Sequence, residues 1–480
     1  MRIVLFNPPP VEGQPFIREG RCMQSVSSWA AIWPPLTLAY LAAIAREFGE
    51  VDLFDCNVEA GCGVDEAVAR AKAFRPDVIV VNTAFPSIDA DGACAVAVKA
   101  ACPDAVVVGF GLFFTLLDEA ALEELAGFDV GISGEPEMTF RELLATLDGG
   151  GRAAGLPGLM WREEGGVRRG PDRALMEELD VLPMPARDLL HNDRYVLPTN
   201  GRRFTLINAA RGCPFRCIFC IAPAYYGHRV RRHSLEYVLA EMEYCQRELG
   251  IRDFLFWEEI FTLDVEFGLA LCEAICEKGW DVSWAATTRV DRLTEELLAA
   301  MKRAGCFMLG LGIESSSQAI LDTAEKQTTV EDARRAVALC RQAGIKTMGH
   351  FIFGLPGETR ATAEATVTFA RELGLDYVQC YAAVPYPKTK LGDMAKEQGW
   401  ITASRWAEYD FGGKCVLATG AIAPEEVDEF RGRMFRRFYL RPLYLLGQFV
   451  GLLGHPRQLI QAAGFLRWMK PTRRPGEERP

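Results

Sequence analysis

Along the first 148 residues, short apolar runs alternate with longer amphipathic stretches. The runs fall at 3–6, 51–54, 78–81, 106–109 and 130–132. Apart from Asp52 in the second, they are apolar at consecutive rather than alternate positions, the pattern of strands buried on both faces. Between them, 36–47 and 88–101 have helical spacing, and 136–147 follows the last run with Pro136 at its first turn. Strand and helix alternating through short connections predict an α/β domain over 1–148, a Rossmann-like, doubly wound sheet of five parallel strands. Such sheets bind ligands at the carboxyl ends of their strands. Those ends are Asn7-Pro8-Pro9-Pro10, Asn82-Thr83, Gly109-Phe110-Gly111 and Ser133-Gly134-Glu135. Small residues at these tips let a flat ligand approach the backbone.

Residues 149–200 are irregular, opening on Gly149-Gly150-Gly151 and holding Val181-Leu182-Pro183-Met184-Pro185; they read as a linker with a small hairpin. From 201 to 395 the alternation resumes, with strands predicted near 204–210, 253–257, 282–286, 306–311, 346–353 and 377–382. Six such units predict a (β/α)6 partial barrel, an incomplete TIM barrel whose lateral opening suits a large substrate. Residues 396–480 form a helical C-terminal region whose pattern, about 424 to 470, is interrupted by Pro442 and Pro456.

An apolar fraction of 49% is ample for these cores. No apolar run reaches the roughly 18 residues that span a bilayer, and the N-terminus reads as a first strand rather than a signal peptide. The expected location is cytoplasmic, so the fifteen cysteines are expected to be thiols or metal ligands rather than disulfides. Cys272 and Cys276, four apart on one helix, are expected in the core. The formal charge of −11 argues against nucleic acid as a partner. It is unevenly spread: 431–474 holds ten Lys or Arg and no acid, leaving −21 on the remainder. Two readings of that tail stand side by side. A cationic helix with Trp468 beside Arg467 and Lys470 would lie on an anionic membrane surface. Alternatively, Phe435, Phe438 and Tyr439 pack the tail on the open barrel while its arginines offset the acidic remainder.

The chemistry is concentrated in Arg211-Gly212-Cys213-Pro214-Phe215-Arg216-Cys217-Ile218-Phe219-Cys220. The three cysteines lie within eight residues, on a loop just past a predicted strand, with no fourth nearby. A structural zinc site would be closed by four ligands. Three thiolates suit a four-iron cluster and leave one iron open.

This Cys-x3-Cys-x2-Cys loop resembles the signature of the radical S-adenosylmethionine (SAM) enzymes. The resemblance implies that Cys213, Cys217 and Cys220 hold a 4Fe-4S cluster, that SAM chelates the open iron, and that an electron cleaves SAM to a 5′-deoxyadenosyl radical. Phe219 would pack by the adenine. Later strand-end motifs match the family in order. Phe256-Trp257-Glu258-Glu259-Ile260-Phe261 supplies a carboxylate, Glu259, for the SAM ammonium. In Thr288-Arg289-Val290-Asp291, Arg289 would fork onto the SAM carboxylate. Gly310-Leu311-Gly312-Ile313-Glu314-Ser315-Ser316 offers Glu314 and Ser315 to the ribose hydroxyls or the methionine end. Gly349-His350-Phe351-Ile352-Phe353-Gly354-Leu355-Pro356-Gly357-Glu358 offers Gly354 as backbone against the adenosyl group. Tyr386-Pro387-Lys388-Thr389 is similar to the closing loop.

The whole arrangement resembles the cobalamin-binding branch, related to the anaerobic magnesium-protoporphyrin monomethyl ester cyclase and to hopanoid methylases. Gly134-Glu135-Pro136-Glu137 and the closing segment Phe435-Arg436-Arg437-Phe438-Tyr439-Leu440-Arg441-Pro442 carry that likeness. It places cobalamin on Asn7, Pro8, Thr83, Gly109, Gly111, Ser133, Gly134 and Glu135. Two features depart from the branch. The five histidines stand at 191, 228, 233, 350 and 455, so none from the first domain can ligate cobalt from below. The branch's Gly-Gly-x-His turn is replaced by Gly109-Phe110-Gly111-Leu112, with Phe113 and Phe114 following. The first domain therefore either holds cobalamin base-off or has lost it. The implied activity is a C-methyltransferase acting on an unactivated carbon through the deoxyadenosyl radical and methylcobalamin, with a small-molecule substrate and flavodoxin or ferredoxin as electron donor. The alternatives are a radical SAM oxidative cyclase or rearrangement enzyme, and a non-catalytic iron-sulfur electron-transfer protein.

Overall fold

The structure is a computed structural model in which residues 1–26, 31–197 and 201–442 are described. Trp468 and most of the cationic tail lie outside the described residues.

The first sheet is built on β1 (Arg2–Asn7), with a hairpin of β2 (Phe16–Glu19) and β3 (Cys22–Ser25) standing apart from it. It continues through β4 (Glu50–Asp55), β5 (Val78–Asn82), β6 (Val106–Phe110) and β7 (Val130–Ile132), then β8 (Leu159–Glu163) and β9 (Gly166–Arg169). Strand order is β4-β1-β5-β6-β7-β8-β9. The first five are parallel, as predicted; β8 and β9 join antiparallel at the edge. The hairpin expected inside the linker thus extends the sheet past residue 148. Consecutive burial is complete in β5, where all of Val78–Asn82 is covered by helices on both faces.

The second sheet starts at β10 (Phe204–Ile207). A two-residue ladder of β11 (Ala210–Arg211) and β12 (Arg231–Arg232) brackets the cysteine loop. Then come β13 (Asp253–Phe256), β14 (Ser283–Arg289), β15 (Cys306–Glu314), β16 (Lys346–Phe353) and β17 (Tyr377–Ala382). The order β10-β13-β14-β15-β16-β17 is parallel throughout and follows the chain, giving the expected half-barrel. Six of its helices start cleanly because a Ser, Thr or Asp ends the preceding loop. Ser234, Asp264, Thr294, Thr329, Thr359 and Thr389 each accept a hydrogen bond from the backbone N–H three residues on.

The open edge at β17 is covered by the helix Pro424–Tyr439, where Phe438 and Tyr439 are buried. The Tyr439 hydroxyl donates to the Val378 carbonyl (2.9 Å) and accepts from the Val378 N–H (3.0 Å), capping the edge strand. Arg433 and Arg437 both reach Glu364 on a barrel helix. For this segment the barrel-packing reading holds. Cys272 is buried in the core, whereas Cys276 is exposed, correcting the expectation for it. It lies in the last turn of the helix Val265–Glu277, on the side facing away from the core.

Candidate active site

The cysteine loop leaves β11 through Gly212, which has φ +99°; a Cβ there would lie 2.2 Å from the Arg229 carbonyl, so only glycine fits. The loop is pinned by Cys213 N–H to Gly227 O (3.1 Å), Cys220 N–H to Cys217 O (3.1 Å) and Ile218 N–H to Ala324 O (3.1 Å). Burial pushes the Cys220 thiol up to about 12, the nearby Glu259 adding and Arg21 opposing; burial likewise raises Cys213. These thiols become ligands when a cation replaces their protons, and iron supplies that charge. Among the described residues no three Cys, His, Asp or Glu side chains converge on a single metal ion. A loop that gives one thiolate to each of three irons has no need of such convergence, so the donor set fits the cluster.

The remaining predicted SAM residues sit at the carboxyl ends of the barrel strands, each already engaged. Glu259, after β13, is paired with Arg21, whose guanidinium also lies 4.6 Å over Trp257. Its neighbour Glu258 is buried with Oε1 unpartnered, and burial raises its carboxyl to about 7. Arg289 donates to Asp291 (2.9 Å) and to Gln327 O (3.1 Å) and lies 3.6 Å over the Phe215 ring. Glu314 adopts φ +65° and accepts from Lys326, which lies 6.0 Å from the Phe219 ring. Ser315 is buried and accepts from Ser317 N–H (3.2 Å). Gly354, at φ +87°, donates to the Glu358 carboxylate. In the lumen, His350 Nδ1 is 3.1 Å from the Tyr381 hydroxyl, and burial lowers the imidazole to about 4, so it is neutral near pH 7.

Arg21 and Lys326 were not legible as site residues. Arg21 is at the tip of the β2–β3 hairpin, which reaches from the first domain to the cluster loop. Gly20 makes that tip possible: at φ +50°, a Cβ would meet the Tyr226 hydroxyl at 2.6 Å and Trp257 Nε1 at 3.3 Å. The hairpin is held from below. The Arg18–Asp91 pair is 2.8 Å apart with neither side chain exposed, Asn82 donates to Arg18 O (2.7 Å), and Thr37 donates to Glu19.

On the first domain's side, Asn82 donates to Asn7 Oδ1 (3.0 Å), Pro8 O accepts from Arg18, and Thr83 donates to Phe110 O (2.8 Å). Gly111, at φ +121°, brings its backbone against Thr83. Ser133 donates to Asp118 (3.1 Å), and Gly134 has nothing within 4 Å of where a Cβ would stand. These tips fit the close approach of a flat ring. Glu135 is committed elsewhere: with Glu137 it binds Arg231 (2.7 Å) and Arg211 (2.7 Å to Glu137, 3.7 Å to Glu135), the residues flanking the cysteine loop. That buried network ties the first domain to the half-barrel.

A half-barrel with a three-cysteine loop, tied to a doubly wound sheet with small strand tips, defines a radical SAM enzyme with a corrinoid domain. Residues 207–370 match the radical SAM superfamily and residues 26–144 the B12 binding domain. An uncharacterized methyltransferase of Pyrococcus horikoshii is 34% identical over 86% of this chain and 89% of its own length. The anaerobic magnesium-protoporphyrin IX monomethyl ester cyclase of Rubrivivax gelatinosus is 28% identical over 87% and 75%. Among solved structures, the radical SAM methyltransferase TsrM of Kitasatospora setae, with cobalamin and a 4Fe-4S cluster bound, has TM-score 0.70 at 23% identity, covering 91% of this chain and 88% of that one. The cobalamin-dependent radical enzyme OxsB has TM-score 0.70 at 16%, covering 98% and 76%; both likenesses concern the fold. The chain belongs to the radical SAM superfamily, in the branch that carries a B12 binding domain. It is an enzyme whose cofactors are a 4Fe-4S cluster, SAM and cobalamin.

Proposed function

We propose that this enzyme transfers a methyl group to an unactivated carbon of a small molecule, with the reacting carbon held between the half-barrel and the strand tips of the first domain. The observation that carries the reading is the network of Glu135 and Glu137 with Arg211 and Arg231, which fixes the cysteine loop beside the corrinoid domain. When bound, the cluster with SAM supplies a hydrogen-abstracting radical, and cobalamin supplies a transferable methyl group. The chain's own residues position and exclude water. Cys213, Cys217 and Cys220 present three thiolates from one loop. Glu258 and Glu259 offer carboxylates to the SAM ammonium, Arg289 a fork to its carboxylate, and Glu314, Ser315 and the Gly354 backbone polar and apolar contacts to the adenosyl group. Phe219 packs beside them. Asn7, Pro8, Thr83, Gly111, Ser133 and Gly134 line the corrinoid side, whereas Gly109, inside β6 rather than at its tip, lies under the Phe114 ring. Flavodoxin or ferredoxin would supply the electron. A cyclisation outcome is favoured by the likeness to the protoporphyrin ester cyclase alone.

The test is anaerobic reconstitution with iron, sulfide, SAM and dithionite. About four irons should bind, with 5′-deoxyadenosine formed. Cys213→Ala, Cys217→Ala and Cys220→Ala should each lose deoxyadenosine formation, while Cys272→Ala keeps it. A single loop variant that still cleaves SAM would overturn the ligand assignment. Mass spectrometry of the product separates a gained methyl from a new ring.

A further inference from the structure

Cobalamin is a flat corrin with a long nucleotide loop ending in dimethylbenzimidazole. A doubly wound sheet can seat the corrin on its strand tips. It can take the aromatic base into its interior only between the strands and a flanking helix, where glycines leave room. This chain has such a pair of glycines, Gly109 on β6 and Gly131 on β7, on neighbouring strands in register. The space over them is filled. A Cβ on Gly109 would lie 2.3 Å from the Phe114 ring and 2.9 Å from Phe128, and one on Gly131 would lie 2.5 Å from the same Phe114 ring.

The Phe114 ring therefore lies on both glycines, fully buried, with Phe128 edge-on at 5.3 Å. Phe113 fills the next position, packed against Phe85 at 5.0 Å. The short helix Leu112–Leu117 that carries both rings is fastened at its end. Thr115 donates to Gly111 O (3.1 Å) and accepts from Gly134 N–H (3.0 Å), and Lys388 of the half-barrel donates to Thr115 O (2.6 Å) and pairs with Asp118 (2.6 Å). Swinging the rings out would require breaking these ties.

We propose that this enzyme binds its corrinoid with the lower base outside the protein interior, and so takes corrinoids irrespective of that base. The inference rests on the corrinoid reading above and adds which part of the cofactor is recognised: the ring and its side chains at the strand tips, not the nucleotide tail. An interior site for the base would strengthen binding by about five-hundredfold, the effect of burying an aromatic face of roughly 150 Å².

The experiment compares the cluster-reconstituted full chain, free of corrinoid, titrated with hydroxocobalamin, with diaquocobinamide (which lacks the nucleotide) and with the adenine-base analogue, read by the visible corrin spectrum after ultrafiltration. The three dissociation constants should agree to within about threefold. Phe114→Ala, by vacating the cleft over Gly109 and Gly131, should restore a preference of about tenfold or more for hydroxocobalamin over diaquocobinamide. Preference for hydroxocobalamin by about thirtyfold or more in the unaltered chain overturns the proposal and leaves the corrinoid reading standing. Binding of none of the three overturns both. Should Phe114→Ala fail to fold, the comparison in the unaltered chain decides the matter alone.

Discussion

Arg18→Met tests the anchoring of the hairpin that carries Arg21. In the native chain Arg18 Nη2 donates to Asp91 at 2.8 Å, Nε lies 3.2 Å from Ser87 Oγ, and neither charged side chain is exposed. Asp91 also accepts from Ser87 (2.7 Å) and from Ala84 N–H (3.1 Å). Methionine keeps the length and apolar bulk but leaves Asp91 as a buried carboxylate without its cation. Breaking one partner of such a pair costs about 3–5 kcal/mol, whereas replacing both with apolar groups is close to neutral. For a domain of this size that corresponds to a fall in Tm of about 6–20 °C. Arg18→Met with Asp91→Leu should recover most of it. Burial already raises Asp91 against the pull of Arg18. Without the guanidinium its folded carboxyl rises further above the unfolded value, so the loss should be largest at neutral pH and shrink as the medium is acidified towards pH ~4. Anaerobic thermal unfolding followed by circular dichroism measures all three chains. A single variant that melts with the native chain, or a double variant as damaged as the single, would refute the reasoning.

Two further outcomes are expected. Arg21 occupies the carboxylate offered to the SAM ammonium, so Arg21→Gln should tighten SAM binding by about fivefold, a value discounted for the partial exposure of the pair; equilibrium dialysis showing weaker binding would reverse Arg21's role from competitor to ligand. Burial raises the Glu358 carboxyl to about 7, against an unfolded value of 4.5, with the Gly354 N–H opposing. Its contribution to stability is therefore complete below the unfolded value and lost as pH rises through about 7, on the order of 3 kcal/mol. Glu358→Gln should flatten the fall in Tm between about pH 5 and pH 8, and parallel pH profiles for the two chains would contradict the burial argument.

The elements that were legible in the sequence are those whose own residues decide them. Strands such as Val78–Asn82 and Arg2–Asn7 announce themselves by buried runs, and the cysteine loop by ligand spacing within ten residues. The β2–β3 hairpin does not. Its charged residues Arg18 and Glu19 break any apolar run, and they are buried because Asp91 and Thr37 meet them from elsewhere in the chain. The same holds for Glu135, placed among the corrinoid contacts by its position at a strand tip and found instead on Arg231. A carboxylate's address can be read from periodicity; its counterion, when it lies on another domain, cannot. Cys276 illustrates the smaller error: four residues along a helix shift the side chain by about a tenth of a turn beyond a full one, enough at a helix end to leave the core.

The tie through Arg211 and Arg231 bears on how far this enzyme is modular. Their side chains are at most 5% exposed, as are those of Glu135 and Glu137. Grafting the half-barrel onto a foreign corrinoid domain that lacks the Gly-Glu-Pro-Glu turn would strand two desolvated guanidiniums, at about 3–5 kcal/mol for each. Chimeras cut in the apparent linker at 149–200 would therefore fail for reasons no property of that linker reveals. Recombination between relatives should succeed only where the turn and the two arginines travel together, so the junction that matters for exchanging these domains is electrostatic rather than covalent.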